Sequence, residues 1–242
     1  MAFPTYSSYQ ALLTAIEAGD QGREILNPAT GELIGHADTH TVDDLNTAVA
    51  KARKAYAAVR HTTHEKRSAL LMEVADAIEA NAEPLAQLLS REQGKPLNGP
   101  NARFEIAGAA AWTRATASFT LEPEVLVDDD KTYSTLTYRP LGVVGAIGPW
   151  NWPIMITVWQ IAPALRMGNT VIVKPSEYTP LSVKALVHLY QCVFAADTIQ
   201  YVSGDREIGA ALASHPDVAK IMFTGSTCLL YTSPSPRDRQ KS

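Results

Sequence analysis

Cysteine, surplus charge and a secretory leader are all scarce or missing in this sequence. Two cysteines among 242 residues cannot form a disulfide framework, so we expect a reducing, cytoplasmic compartment. A formal net charge of −4 leaves no unbalanced basic surface, so neither nucleic acid nor a membrane is an expected partner. The first six residues have no basic region followed by an apolar one, so no signal peptide is predicted.

Long apolar runs are lacking as well. Residues 143–165 are rich in Val, Ile and Trp, but Gly, Pro, Asn and Gln interrupt them before the ~20 residues that a transmembrane helix needs. We therefore predict a buried strand, a turn and a buried helix in this stretch. The whole composition, 46% hydrophobic and 19% charged, is typical of a globular protein and excludes collagen-like or largely disordered chains.

The hydrophobic pattern differs between the two halves of the chain. After a turn at 27–32 that predicts an early hairpin, helical spacing predicts four helices, at about 42–59, 64–80, 84–94 and 101–118. Past residue 142, apolar runs alternate with helical segments; the runs are 143–147, 170–173, 199–202 and 218–223. This alternation predicts a parallel sheet covered on both faces, with ligands at the carboxyl ends of its strands.

The loop after the first buried run is the first candidate site. Residues 149–153 read Pro-Trp-Asn-Trp-Pro, which holds Asn151 rigidly at the end of a predicted strand. A fixed amide N–H there can donate to an oxygen that gains charge during a reaction. The alternative is that Asn151 caps a helix beginning near Ile154.

Two further loops follow later strands. Lys174 and Glu177, three residues apart, can bracket the hydroxyl groups of a ribose, or they can form a solvated ion pair. The turn at Gly225 and Ser226 can present backbone N–H groups to a pyrophosphate at a helix N-terminus, although the pattern G-x-G-x-x-G is absent. Gly209, on a short helix expected after residue 204, is suited to a close backbone approach.

Four motifs, in order and spacing, resemble the NAD(P)-dependent aldehyde dehydrogenase superfamily. They are Glu-Gln-Gly-Lys-Pro-Leu at 92–97, Pro-Trp-Asn-Trp-Pro at 149–153, Gly-Asn-Thr-Val-Ile-Val-Lys-Pro-Ser-Glu at 168–177 and Phe-Thr-Gly-Ser-Thr at 223–227. The resemblance covers about residues 24–227. It implies an α/β fold: a truncated, Rossmann-like open parallel sheet with N-terminal helices and a protruding β oligomerisation segment.

The resemblance also implies how the chain is organised. The expected parts are an N-terminal helical part of the cofactor-binding domain (1–125), oligomerisation strands (126–141), an incomplete Rossmann-like NAD-binding part (142–227) and a non-native, disordered tail (228–242). The family's nucleophilic Cys and general-base Glu lie further along than this sequence reaches, so the catalytic domain is expected to be absent. Cys192 and Cys228 are expected to be inert thiols.

The resemblance assigns roles to individual residues. Asn151 is expected to stabilise the oxyanion of a thiohemiacetal, and Lys174 and Glu177 to contact the adenosine ribose of NAD, with NADP possible; no metal is expected. The candidate cofactor-binding residues are Ile147, Pro149, Trp150, Asn151, Lys174, Ser176, Glu177, Gly209, Phe223, Thr224, Gly225 and Ser226.

The function implied is that of the N-terminal part of an enzyme that oxidises a small aldehyde to a carboxylic acid with NAD(P)+. Such an enzyme passes through a thiohemiacetal and a thioester, and a homodimer or homotetramer is expected for the intact protein. Two alternatives remain open: a CoA-acylating semialdehyde dehydrogenase relative, and a non-catalytic fragment that binds cofactor or another subunit. The chain by itself is expected to be inactive.

Overall fold

Eight helices and eight strands make up residues 3–17 and 21–226, the part of the chain that this computed structural model describes. The helices are α1 (Tyr9–Ala15), α2 (Val42–Val59), α3 (His64–Ala80), α4 (Ala82–Gln93), α5 (Ala102–Ser118), α6 (Pro153–Arg166), α7 (Pro180–Val193) and α8 (Arg206–Ser214). The strands are β1 (Arg23–Leu26), β2 (Leu33–Ala37), β3 (Glu124–Asp128), β4 (Tyr133–Leu136), β5 (Val143–Ile147), β6 (Thr170–Lys174), β7 (Ile199–Tyr201) and β8 (Val218–Phe223).

The four apolar runs of the second half form one parallel sheet, in the order β7-β6-β5-β8. In its register Ile147 lies beside both Lys174 and Phe223, so three strands end at the same edge. The chain builds outward from β5 through β6 to β7, and then returns to place β8 on the other side of β5. This reversal creates a crevice at the carboxyl ends of β5 and β8, where open α/β sheets bind ligands.

Alternate side chains of the sheet enter two separate cores, because successive residues of a strand face opposite sides. Val144, Val171 and Val173 pack into the larger core, together with buried side chains of α3 to α7. Val143 and Ile172 point the other way and pack against α2 and α8. The sheet is therefore covered on both faces, as the continuous apolar runs predict.

Local signals in the sequence set most helix ends. Thr41 and Asp44 form a capping box at the start of α2, and Gly94 ends α4 in the left-handed conformation, with φ of 80°. Helix α4 begins at Ala82 rather than at the predicted Pro84, which instead occupies its first turn. Helix α1 was not predicted at all, because its seven residues are too few to show a clear periodicity; Ser8 caps it.

Two antiparallel hairpins lie outside the parallel sheet. β1 and β2 form the hairpin predicted around the turn at 27–32. β3 and β4 pair across Asp129–Thr132, and every residue of β3 is exposed, including Leu126 at 57%. These two strands lie in and just before the segment 126–141, for which the resemblance implies oligomerisation strands; β3 begins two residues earlier, at Glu124.

Buried arginines hold the C-terminal ends of two central helices. Arg67 donates from Nε to the backbone carbonyl of Arg166, the last residue of α6, at 2.8 Å. Arg166 in turn donates from Nη2 to the carbonyl of Phe119, at the end of α5, also at 2.8 Å. Both guanidinium groups satisfy carbonyls that have no partner within their helix, and they complement its negative end.

Replacing Arg67 by Met should destabilise the protein, because the carbonyl of Arg166 would lose a charged donor in a buried place. A hydrogen bond to a charged group contributes about 1.5–3 kcal/mol, and we expect a loss of that size in the free energy of unfolding. Urea unfolding followed by circular dichroism measures it. Arg53→Met is the matched control: the Arg53–Asp217 pair is exposed and should contribute less than about 1 kcal/mol. Equal losses in the two variants would contradict the explanation.

Candidate functional site

A cavity of about 700 Å³ opens at the carboxyl edge of β5, β6 and β8. It brings together all of the candidate residues: Ile147, Pro149, Trp150, Asn151, Lys174, Ser176, Glu177, Gly209, Phe223, Thr224, Gly225 and Ser226. The sequence had not singled out seven further lining residues, namely Gly148, Ile156, Pro175, Tyr178, Asp205, Arg206 and Ala210. Gly148, Pro175 and Tyr178 lie within or beside the motifs, whereas Asp205, Arg206 and Ala210 carried no signal except their place after a strand.

The strand ends that form the floor of this cleft are tied together by hydrogen bonds. The N–H of Gly148 donates to the carbonyl of Lys174 at 3.0 Å, and the N–H of Thr224 to the carbonyl of Ile147 at 3.1 Å. Gln160 reaches from α6 and donates from Nε2 to Ile147 O at 3.1 Å and to Thr224 Oγ1 at 3.3 Å. The loops after β5 and β8 are thereby fixed relative to each other.

Asn151 does not cap α6, so the alternative based on helix capping is wrong. The N-cap residue of α6 is Trp152, and its side chain accepts no hydrogen bond from the helix. The Oδ1 atom of Asn151 accepts from the N–H of Trp152 at 3.0 Å. Because an N–H group donates, the atom that faces it must be the amide oxygen of Asn151. The amide nitrogen of Asn151 then has no hydrogen bond among the described residues.

A buried glutamate from another helix caps α6 instead. Glu105 Oε1 accepts from the backbone N–H groups of Ile154 at 2.8 Å and of Met155 at 3.1 Å. Its other oxygen accepts from Lys95 Nζ at 2.5 Å, and the side chain of Glu105 has no exposed surface. Sequence reasoning missed this cap because the acceptor lies about fifty residues away, on α5.

Glu92 caps α7 in the same way. Its two oxygens accept from the N–H groups of Leu181 at 2.6 Å and of Ser182 at 2.9 Å. Both α6 and α7 begin with a proline, which has no N–H, and both receive a buried carboxylate on the next two N–H groups. The first motif, at 92–97, therefore holds the helix that follows the Lys174 loop.

Lys174 is buried at the bottom of the cleft. It is 7% exposed, and its Nζ donates to the carbonyl of Pro175 at 3.0 Å. Burial lowers its pKa below the ordinary value, while Glu177 and Asp205 oppose that shift. No ion pair joins Lys174 to Glu177 in the described part of the chain, so the reading of a solvated pair does not hold. Gly209 faces the stem of Lys174: a Cβ there would lie 3.6 Å from Lys174 Cε.

Gly225 needs its lack of a side chain for a packing reason. A Cβ at this position would lie 2.5 Å from Cζ of Phe223, in the ring that lines the cleft. Both Gly225 and Ser226 line the cavity. The helix expected to follow it, and the expected tail at 228–242, lie outside the described residues.

Cys192 lies far from the cleft along its helix. α7 starts at the cleft edge with Pro180, and twelve residues of helix to Cys192 span about 18 Å. Burial raises the pKa of its thiol, and its Sγ lies 3.7 Å from His188 Nε2. Among the described residues, no group of three or more His, Cys, Asp and Glu is arranged to hold a metal ion. No helix of that same part is both long and apolar enough to cross a bilayer.

Comparison with known proteins identifies the family. The model of the aldehyde dehydrogenase family matches residues 16–230. Aldehyde dehydrogenase LUC3 of a Fusarium species is 40% identical over 208 residues, which cover 86% of this chain and 43% of that protein. The chain therefore belongs to the aldehyde dehydrogenase family, and it spans about half the length of the curated relatives that it matches.

Solved structures agree with this assignment and with the truncated fold. The crystal structure of PnpE in complex with nicotinamide adenine dinucleotide is 37% identical, with a TM-score of 0.81 over 86% of this chain and 43% of that chain. Glyceraldehyde-3-phosphate dehydrogenase GapN from Methanocaldococcus jannaschii, complexed with NADP, is 26% identical, with a TM-score of 0.81 over 87% of this chain and 47% of that chain. The predicted fold class and family are confirmed.

Glu92 should make stability depend on pH. Burial raises its pKa from 4.5 to about 7, although the N–H groups of Leu181 and Ser182 work in the opposite direction. Between these values the folded protein holds a proton that the unfolded chain releases, so stability falls as pH rises from 4.5 to 7, by up to about 1.4 kcal/mol per pH unit.

Urea unfolding at pH 5, 6, 7 and 8 tests this dependence. The glutamine in Glu92→Gln cannot ionise. As pH rises, the unfolding free energy of wild type should therefore fall relative to that of this variant. The exposed Glu83, in a pair with Arg103, provides Glu83→Gln as a control that lacks this trend. A pH-independent difference for Glu92→Gln would show that its carboxyl group is already ionised at pH 5.

Proposed function

We propose that this chain is the N-terminal half of an enzyme that oxidises an aldehyde to a carboxylic acid with NAD+. The observation that carries the proposal is the single cleft that joins a buried Lys174, the half-buried carboxylate of Glu177, the turn at Gly225 and the amide nitrogen of Asn151. The family match and the NAD complex of PnpE support the same reading. We infer a cytoplasmic enzyme from its cysteine usage.

The residues present suit a dinucleotide. The Lys174 ammonium and the Glu177 carboxylate offer a donor and an acceptor to the hydroxyl groups of the adenosine ribose. Gly225, where a Cβ would strike the ring of Phe223, keeps the backbone beside the pyrophosphate position free of side-chain atoms. Trp150, 57% exposed, contributes a large apolar surface to the wall of the cleft.

Asn151 supplies the chemistry that this half of the protein contributes. Its Nδ2 donates to the aldehyde oxygen, which becomes an oxyanion when a thiolate attacks the carbonyl carbon. Bound NAD+ accepts the hydride that then leaves this carbon. The fixed bond from Trp152 N–H to Asn151 Oδ1 directs the donor towards the substrate before the reaction starts. We expect the attacking Cys and the Glu that activates water to belong to the other half of a full-length family protein.

The exposed hairpin of β3 and β4 supports assembly of subunits. Val125, Leu126 and Tyr133 are between 50% and 69% exposed, an unusual apolar surface for a two-stranded ribbon. Edge strands of this kind pair with other chains when they are left uncovered. We propose that they join subunits in a homodimer or homotetramer.

NAD+ should bind more tightly than NADP+, because the Glu177 carboxylate would repel a 2′-phosphate. Titration calorimetry of the 242-residue chain with both dinucleotides measures the two dissociation constants. We expect a preference of at least about tenfold, equivalent to about 1.4 kcal/mol. Glu177→Gln should reduce this preference for NAD+. The control is Glu207→Gln, on the neighbouring α8, which should leave the preference unchanged. Equal affinities for both dinucleotides would refute the role of Glu177.

Asn151→Ala should slow turnover without weakening cofactor binding. In a protein of full family length that contains this sequence, loss of one oxyanion donor should lower kcat by about 10²–10³, or about 2.7–4 kcal/mol. The dissociation constant for NAD+ should stay close to that of the unmodified protein, because the effect arises only as charge develops. A kcat within about threefold of the original would rule out an oxyanion role, since such a donor contributes far more than that.

A further inference from the structure

The first motif places two side chains on the backbone of the Asn151 loop. Gln93 donates from Nε2 to the carbonyl of Trp150 at 2.8 Å and to the carbonyl of Asn151 at 2.6 Å. Lys95 donates from Nζ to the same carbonyl of Asn151 at 3.0 Å. Two consecutive carbonyl groups are therefore held by one short segment, 93–95, from a different part of the chain.

The turn between these two side chains explains how both reach the loop. Gly94 lies between them in the left-handed conformation, with φ of 80°, and a Cβ there would lie 2.8 Å from Cγ of Pro28. Its N–H donates to the carbonyl of Ser90 at 2.9 Å, and the Ser90 hydroxyl donates to the carbonyl of Lys95 at 2.7 Å. The turn is thus fixed at both ends, so Gln93 and Lys95 have little freedom to leave the loop.

Lys95 also couples the loop to the start of α6. Its ammonium group binds Glu105 Oε2 at 2.5 Å and lies 4.6 Å from the centre of the Trp152 ring. Glu105 in turn holds the first free N–H groups of α6. Lys95 therefore links the carbonyl of Asn151 to the Trp152 ring and, through Glu105, to the start of α6.

We propose that Gln93 and Lys95 are positioning residues, which fix the Trp150–Asn151 backbone and so aim the Asn151 amide and the Trp150 ring into the cleft. Neither of them lines that cleft, so any effect on it passes through the residues that they hold. The proposal rests on the proposed function, because it takes the cleft to be the dinucleotide site. It adds a role for the motif at 92–97, which otherwise only caps α7 through Glu92.

Gln93→Leu is the decisive variant. It keeps the size of the side chain and removes both donors to the loop, while leaving the Lys95–Glu105 pair intact. Lys95→Met removes the third donor, and Lys95→Arg is its conservative counterpart, which retains charge and donors. Arg103→Met is the matched control, because it breaks the exposed Arg103–Glu83 pair between the same two helices, α4 and α5, away from the loop.

Two measurements on the 242-residue chain test the proposal. The first is the position of the Asn151 side-chain amide signals in ¹H–¹⁵N correlation spectra, assigned by their loss in Asn151→Asp. The second is the dissociation constant for NAD+ from titration calorimetry. We expect Gln93→Leu and Lys95→Met to displace the amide signals and to raise the dissociation constant about tenfold, as the loss of one or two hydrogen bonds would. Lys95→Arg and Arg103→Met should match wild type in the positions of the amide signals and in the dissociation constant.

The possible outcomes are distinct. Unshifted Asn151 signals in Gln93→Leu, or an unchanged dissociation constant while wild type binds NAD+, would overturn the positioning role. If Lys95→Met fails to fold because Glu105 is left unpaired, Gln93→Leu still decides the question. If wild type itself binds no NAD+, the proposed function fails, and the amide signals alone decide whether segment 93–95 positions the loop.

Discussion

The buried carboxylate of Glu105 is the interaction on which the arrangement of the cleft depends. It accepts the first two available N–H groups of α6 and is neutralised by Lys95, which also holds the loop in front of that helix. At the other end, Arg67 binds the last carbonyl of α6. A central helix with a buried anion at its N-terminus and a buried cation at its C-terminus is stabilised at both poles of its dipole.

This capping changes how an anion can bind at the sheet edge. Three helices, α6, α7 and α8, start there; Glu105 and Glu92 each accept from two N–H groups of α6 and α7, and Asp205 accepts from one N–H group of α8. A pyrophosphate cannot use the N–H groups that Glu105 and Glu92 occupy as it does in dinucleotide folds with the G-x-G-x-x-G turn. Positive charge at Lys174 and Arg206, together with the open turn at Gly225, remains available in the cleft.

Features that depend on neighbouring residues could be predicted from the sequence. The start of α2 at Val42, the end of α4 at Gly94 and the four apolar strands each have a local cause, and all were found where the pattern indicated. The family resemblance supplied the twelve candidate residues, and most of them lie together because strands of a parallel sheet end at a common edge.

Features that depend on distant residues could not be predicted in this way. No local pattern shows that Glu105 caps a helix about fifty residues further on, or that Gln93 binds the carbonyls of a loop more than fifty residues away. The choice between two roles for Asn151 depended on these contacts. Proximity to a helix start favoured capping, but the N–H groups concerned were already occupied by a partner that the sequence alone does not place.

The same long-range cap explains why the Asn151 side chain takes no part in capping α6. An asparagine just before a helix would ordinarily turn its oxygen towards the helix N–H groups. Glu105 occupies those groups, so among the described residues the oxygen of Asn151 accepts from the adjacent Trp152 and its nitrogen has no hydrogen bond. A donor in this position stabilises a developing negative charge, whereas an acceptor would oppose it. The carboxylate of Glu105 on α5 thus leaves unbonded the amide nitrogen that the proposed oxyanion role of Asn151 requires.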